Sequence, residues 1–357
     1  MEDLVKPMPS SGFWQGRRVF LTGHTGFKGA WLTAVLLQEG ANVTGYSLPP
    51  PTTPALFDLL NLKDKITHIE GDVRDREKLA AATAGAKPEI VLHLAAQALV
   101  RPSYDDPRGT FDTNTTGTLN LLEALRPCAS VRAIVAITSD KCYRNDETGA
   151  LFKEHDALGG KDPYSASKAA AEIVAQAYHE SFFKPAGIPL ATARAGNVIG
   201  GGDWAKDRLI PDVARAHAAG EPVLIRSPNA TRPWQHVLEP LRGYMMLAEQ
   251  LVSEGQAFTG GWNFGPRPED IRSVGDVLSK LKETLPFELR LDSSPQPAEA
   301  KTLGLDIRKS MEKLGWQPRL ALDEAIRWTG EWYNTCAQSN SVKEMTLRQI
   351  EDYAALA

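Results

Sequence analysis

Residues 18–29 read Arg18-Val19-Phe20-Leu21-Thr22-Gly23-His24-Thr25-Gly26-Phe27-Lys28-Gly29. An apolar run of strand length ends at Thr22, three glycines follow at intervals of three, and a helical pattern opens at Lys28 and closes at Gly40. A strand that breaks in this way lets backbone approach a pyrophosphate closely. The helix that follows offers free N–H groups and the positive end of its dipole to the same anion. Glycines at G-x-x-G-x-x-G spacing also serve plain turns. Their place at the first strand–helix junction of an alternating chain is what points to a dinucleotide.

The alternation continues outward from that turn. Strand-like runs fall at 18–22, 42–46, 66–70, 90–94, 131–138 and 189–194, with helix-like segments between them at 28–39, 75–84, 107–125 and 164–183. Strands separated by helices build βαβ units and a doubly wound parallel sheet. The unbroken apolar run Ile90-Val91-Leu92 suits a strand covered on both faces. After about Ala195 the texture changes. Glycines cluster at Gly200–Gly202, strands shorten to 223–226, 261–264 and 288–291, and helical patterns stand at 208–219, 237–251, 273–285, 306–314 and 322–333. The expected plan is α/β: a mobile lead-in over 1–15, a nucleotide-binding domain over 16–195, a smaller α+β substrate lobe over 196–335, and a tail over 336–357. A ligand cleft belongs at the boundary between sheet and lobe.

Composition narrows the partners. The 357 residues are 42% hydrophobic and 24% charged, with 40 basic and 44 acidic side chains for a net charge of −4. No global field draws in nucleic acid or an anionic membrane. Cys128, Cys142 and Cys336 follow no metal-ligand spacing, and the seven histidines include no H-E-x-x-H pair, so neither a disulfide framework nor a metal site is expected. The first dozen residues lack the apolar core of a secretory signal, and no run approaches the roughly 20 apolar residues of a membrane span. The expectation is a soluble protein of the reducing cytoplasm.

Two further clusters carry chemistry. Tyr164-Ser165-Ala166-Ser167-Lys168 sets a phenol and an amine at i and i+4 on one helix face. A cation beside a phenol lowers its pKa, which would let Tyr164 take a proton from a sugar hydroxyl. Thr138-Ser139-Asp140-Lys141 ends the fifth strand, on the edge where open α/β sheets place their reactions. Ser139 can bond the oxygen that Tyr164 works on. Once a sugar C4 is a ketone, its C5 proton is acidic and the C6 hydroxyl can leave. Lys141 is the candidate base for that proton and Asp140 the candidate acid for the departing oxygen. A surface ion pair of no catalytic consequence is the other reading of that dipeptide. The second strand ends in Ser47 rather than in the acid that usually binds ribose hydroxyls, which admits NADP beside NAD. Asp72 and Val73 can reach an adenine, or serve the helix that starts near Asp75.

From about residue 16 to residue 333 the sequence resembles the extended short-chain dehydrogenase/reductase family, and within it the CDP-glucose 4,6-dehydratases. The shared stretches are TGHTGFKGAWL (22–32), LAAQALVRPSY (94–104), NTTGTLNLLEA (114–124), TSDKCY (138–143), Tyr164 to Lys168, GNVIGGGDW (196–204), RPWQHVLEPL (232–241) and WNFGP (262–266). Asp140-Lys141 is the sharpest of these, because dTDP-glucose dehydratases carry Asp-Glu there and epimerases carry neither. The resemblance implies a Rossmann-type domain holding NAD, with Gly23, Gly26, Phe27 and Gly29 at the pyrophosphate and Asp72 and Val73 near the adenine. Ala95 would line the cofactor site together with Tyr164 and Lys168. It implies Gln97, Ser139, Asn197, Arg208 and Arg232 on the nucleotide-sugar substrate. It further implies CDP-glucose as that substrate, a product destined for dideoxysugars of surface polysaccharides, and a homodimer, or a tetramer, paired through the helices at 107–125 and 164–183. A nucleotide-sugar epimerase or reductase, and a non-catalytic dinucleotide sensor, are the rival readings.

Overall fold

The computed structural model describes residues 12–225, 227–291, 303–338 and 341–356. Strand and helix alternate from the start: β1 (Arg18–Thr22), α1 (Phe27–Gln38), β2 (Asn42–Ser47), the short α2 (Leu56–Leu59), β3 (Thr67–Glu70), α3 (Arg76–Ala86) and β4 (Ile90–His93). Next come α4 (Val100–Asp105) and one long helix made of α5 (Pro107–Phe111), a wider π turn (Asp112–Thr116) and α6 (Gly117–Leu125). β5 (Ala133–Ile137), α7 (Pro163–Tyr178) with its own π turn (His179–Phe183), and β6 (Leu190–Ala195) complete the first half.

The second half runs β7 (Val198–Ile199), α8 (Leu209–Ala219), β8 (Val223–Ile225), β9 (Thr231–Pro233), β10 (Gln235–His236), α9 (Leu238–Glu254) and β11 (Gly260–Phe264). It ends with β12 (Ile271–Ser273), α10 (Val274–Leu281), β13 (Leu289–Leu291), α11 (Leu322–Ala337) and α12 (Val342–Ala355).

The central sheet has seven strands in the order β11-β6-β5-β4-β1-β2-β3, all parallel. β4, β5 and β6 are buried along their whole length. Their alternate residues feed two cores. Phe20, Val91 and Ile134 pack with Leu121 and Leu125 on one face, while Leu21, Leu92 and Val135 pack with Trp31 and Leu247 on the other. That two-sided burial is why these strands read as continuous apolar runs. The strand order reverses at β1, between β4 and β2, so a crevice opens at their carboxyl ends.

The stretch after residue 195 belongs partly to this sheet, since β11 pairs with β6 as its edge strand and α9 packs against β5 and β6. The remaining strands form three pairs: β7 with β10, β9 with β12, and β8 with β13. Of the lead-in, residues 1–11 lie outside the described residues, but Trp14 is fully buried and its indole donates to Glu249 Oε1 at 2.8 Å. In the tail, α11 runs on to Ala337 and α12 buries Ile350 and Tyr353. Arg226, expected to end a strand, and residues 339, 340 and 357 of the tail also lie outside the described residues. Among the described residues no helix is long and apolar enough to cross a membrane, and no cluster of histidine, cysteine and acidic side chains could hold a metal ion.

Candidate active site

The glycine turn fills the crevice at the end of β1. Gly23 has φ +77°, and a Cβ there would stand 2.6 Å from the Ala95 nitrogen and 2.8 Å from the Leu94 carbonyl carbon. A Cβ on Gly29 would come within 2.1 Å of the Gly23 oxygen, so the start of α1 can rest on the turn only without a side chain. Gly26 differs, because its nearest neighbour would be the Gly23 oxygen at 3.4 Å. α1 starts after Gly26 with no side-chain cap and no acidic residue in its first turn. Its N–H groups are thus left for an anion. Phe27 lies beside the turn, with its ring tip 3.3 Å from where a Gly200 Cβ would be.

At the end of β2, Thr25 donates to the Leu48 carbonyl at 2.9 Å and so accepts from the buried Ser47 hydroxyl at 2.8 Å. Asp72 is forked by Arg74, whose Nε donates to Oδ2 at 2.9 Å, and that bonding holds the carboxyl below its usual range. Helix capping belongs to Asp75, which accepts from the Lys78 N–H at 3.0 Å. Val73 is buried, and its carbonyl accepts from Asn120 at 3.0 Å.

The second cluster sits where β5 ends. Ser139 caps a 3₁₀ turn, Asp140–Cys142; its hydroxyl accepts from the Lys141 N–H at 3.2 Å and donates to Asp140 Oδ1 at 3.0 Å. Asp140 is 3% exposed, and burial raises its carboxyl pKa against the opposing pull of Lys141. Its Oδ2 has no hydrogen-bond partner among the described residues. Facing it, α7 begins with Pro163 behind an Asp162 cap, which fixes Tyr164 in the first turn. Burial pushes the Tyr164 phenol up to about 12, with the Ser139 hydroxyl bond opposing and Asp140 adding to the rise. One turn on, the Lys168 ammonium donates to the Ile137 carbonyl at 3.3 Å and is brought down to about 8 by burial, against the pull of Glu172. The expectation that Lys168 lowers the phenol's pKa is therefore corrected: desolvation outweighs it, and the lysine is turned to the end of β5.

The substrate-side residues divide into two groups. Arg208 pairs with the buried Asp203 at 2.8 Å, and its charge opposes the rise at Tyr164. Asn197 and Arg232 stand on segments that meet beside Asp140, because a Cβ on Gly196 would be 2.8 Å from Pro233 and 3.1 Å from Asp140 Oδ2. The Arg232 guanidinium donates to the Thr231 carbonyl at 2.9 Å. The Gln97 side chain instead holds its own loop, donating to Leu99 O at 2.9 Å and to Thr110 at 3.0 Å. Ala95 lies at the mouth of the crevice, its N–H on the Thr22 hydroxyl at 3.2 Å.

Sequence reasoning missed three participants. Lys28, in the first turn of α1, is brought down to about 7 by burial and by Arg208, with Asp140 and Asp203 pulling the other way. Glu172 and Arg194 form a buried pair behind the cluster at 2.8 Å. Lys28 had a signal, being the one cation inside the glycine turn; Glu172 lies at i+4 from Lys168, but nothing local marks Arg194 as its partner.

A family model described as GDP-mannose 4,6 dehydratase matches residues 20–329, spanning both clusters. The chain belongs to that family. Among its relatives, a CDP-glucose 4,6-dehydratase of Salmonella typhimurium is 48% identical over 353 residues, covering 97% of this chain and 98% of that one. A UDP-glucose 4-epimerase of Thermus thermophilus, solved with NAD, is 26% identical with a TM-score of 0.76, covering 88% of this chain and 98% of its own. A dTDP-glucose 4,6-dehydratase of Streptomyces venezuelae shares the fold at 22% identity and TM-score 0.76, covering 90% of this chain and 98% of its own.

Proposed function

We propose that this chain is a CDP-glucose 4,6-dehydratase, a lyase that turns CDP-D-glucose into CDP-4-dehydro-6-deoxy-D-glucose. The observation that carries the reading is the Ser139–Asp140–Lys141 turn, with Ser139 and Asp140 buried, set against the Tyr164 phenol. It occurs in a chain 48% identical, along nearly its whole length, to a protein of that name.

The glycine turn fits NAD, since Gly23 and Gly29 tolerate no side chain and Gly26 leaves space above an uncapped helix start. Gly23, Gly26, Phe27 and Gly29 would hold its pyrophosphate, Asp72 and Val73 its adenine side, and Ala95, Tyr164 and Lys168 the reactive end. When bound, NAD supplies the acceptor for hydrogen leaving sugar C4 and the donor that returns it at C6.

The chain's own residues move the protons. Ser139 orients the C4 oxygen, and Tyr164 takes its proton. Burial keeps the phenol protonated at rest, so Tyr164 must first release its own proton to solvent, a loss that the Arg208 charge favours, and the phenolate then takes the O4 proton. Lys141 removes the C5 proton. Asp140, whose raised pKa favours its neutral form, gives a proton to O6 as water leaves. Arg208, Arg232 and Asn197 hold the diphosphate, where planar guanidinium groups suit phosphate oxygens.

Three unpaired cysteines fit the reducing cytoplasm as its compartment. The half-exposed Ile173 and Phe182, with Phe111, suit a homodimer face on the long helices. Sedimentation of the wild type should give twice the chain mass, and Ile173→Asp should shift it toward monomer.

The deciding experiment incubates the protein with NAD and, separately, CDP-, dTDP-, GDP- and UDP-glucose, and weighs each product. Loss of one water with the CDP-sugar is expected. An unchanged mass with altered stereochemistry would favour an epimerase.

A further inference from the structure

We infer that Glu172 and Arg194 are positioning residues that hold the Asp140–Lys141 turn in register with Tyr164, so that water elimination follows C4 oxidation. The inference rests on the dehydratase reading above and goes beyond it in assigning a role to groups that touch neither sugar nor cofactor.

Both side chains are about 4% exposed, and every oxygen of the carboxylate is used. Oε1 accepts from the Thr138 hydroxyl and from Arg194 Nε at 2.8 Å, while Oε2 accepts from Thr192 at 2.6 Å and from Arg194 Nη2 at 2.8 Å. The remaining nitrogen, Nη1, donates to the Tyr143 hydroxyl at 2.6 Å and to the Glu154 carbonyl at 3.0 Å. The Tyr143 hydroxyl in turn donates a hydrogen bond to Asn263 Oδ1 at 2.7 Å, and its ring stacks on Phe152.

The placement gives this network its meaning. Thr138 and Tyr143 are the residues on either side of the Ser139–Cys142 segment, and both are fastened to one ion pair. Glu172 itself stands on α7, eight residues after Tyr164 and four after Lys168, on the same helix face. One ion pair therefore ties the helix that carries the phenol to both ends of the turn that carries the acid and the base, Glu172 at Thr138 and Arg194 at Tyr143. A fully desolvated ion pair returns little net stability over apolar packing of the same volume, so geometry is the benefit that accounts for it. Tyr164 is also held by its own helix start, with its N–H on Ser103 at 3.2 Å, whereas the turn depends on its two flanks. Loosening a flank should therefore spare oxidation and harm elimination.

The test uses the full chain with CDP-glucose and NAD. Thr138→Val and Tyr143→Phe each remove one hydroxyl and leave the ion pair intact. Both should keep the single-turnover rate of C4 oxidation within about three-fold, while water loss falls about ten- to a hundred-fold, as small misplacements of reacting groups do. Reduced cofactor should accumulate in the variants and not in the wild type, with KM changed less than about two-fold. Glu172→Gln should show the same split; should it fail to fold by circular dichroism, the two hydroxyl variants decide. Parallel losses in both steps, or undiminished water loss, would overturn the positioning role and leave the dehydratase standing. A wild type that removes water from no hexose nucleotide would overturn the dehydratase reading and this inference with it.

Discussion

Desolvation is the largest single influence on Tyr164, Asp140, Lys168 and Lys28, and for each it favours the uncharged form. Groups whose charged forms are disfavoured in this way suit proton transfer to and from a bound sugar. Tyr164→Phe removes the proposed acceptor for the O4 proton and should lower kcat by about 10²–10⁴-fold, the usual worth of a general base. NAD affinity, read by fluorescence titration, should stay within about three-fold, since the ring remains. Loss of cofactor binding in that variant would recast Tyr164 as structural. Asp140→Asn keeps the shape but cannot give a proton. It should permit C4 oxidation, visible as reduced cofactor, and cut water loss by about 10²–10⁴-fold. Lys141→Ala should stall at the same stage, and a variant that eliminates water at the wild-type rate would place the base elsewhere.

Elements decide whether those residues meet. The turn between β1 and α1 works only because Gly29 lets the helix sit 2.1 Å, in Cβ terms, from the Gly23 oxygen. Gly29→Ala should therefore destabilise the fold by about 1–3 kcal/mol, the range for overpacking, and weaken NAD binding with it. Gly26→Ala has room in the protein itself, with its nearest contact at 3.4 Å, and should fold normally while losing cofactor affinity. Urea unfolding and NAD titration of the two variants separate these outcomes. The main elements were legible because a strand buried on both faces or an amphipathic helix writes its period over many residues, as β4 and α7 do. β7, β9, β10 and β12 span only two or three residues, too few to carry a period. The π turn at Asp112–Thr116 was invisible for another reason. It places Asn114, whose amide donates to Ser167 at 2.8 Å and whose carbonyl accepts from the Gln97 N–H at 2.8 Å, and those partners lie far away in sequence. For the candidate site, local motifs pointed to Ser139, Asp140, Lys141, Tyr164 and Lys168, which lie on the turn after β5 and at the start of α7. The balance of charge around Tyr164, and the Glu172–Arg194 pair behind it, depend on which strand lies beside which helix.

The molecule as a whole carries a pH dependence that this architecture imposes. His24, His93 and His236 are fully buried on the sheet and its cores, and burial lowers each from 6.5 to about 3. His93 is held between the Thr22 and Thr118 hydroxyls at 2.7 and 3.1 Å, while His236 lies edge-on to Trp31 and Trp328, its Nε2 without a hydrogen-bond partner among the described residues. These rings stay neutral in the folded chain down to about pH 3, whereas the unfolded chain protonates them near 6.5. The unfolded state thus binds more protons between those limits, and stability must fall as pH drops through that window. At pH 5 the loss is about 2 kcal/mol for each ring. Asp140 and Glu239 act in the opposite sense, because burial raises their carboxyl pKa values and the folded chain keeps their protons longer. They offset part of the loss, as does Glu39, also raised by burial, but His68, lowered by burial, joins the three imidazoles, and the net slope should follow the histidines. Thermal unfolding between pH 7.5 and pH 5 should show a falling midpoint, and His236→Met should flatten that fall, having removed one of the contributions. A midpoint that is level or rises toward pH 5 would mean that water reaches these rings in the folded chain and that the sheet is less tightly sealed than its packing requires.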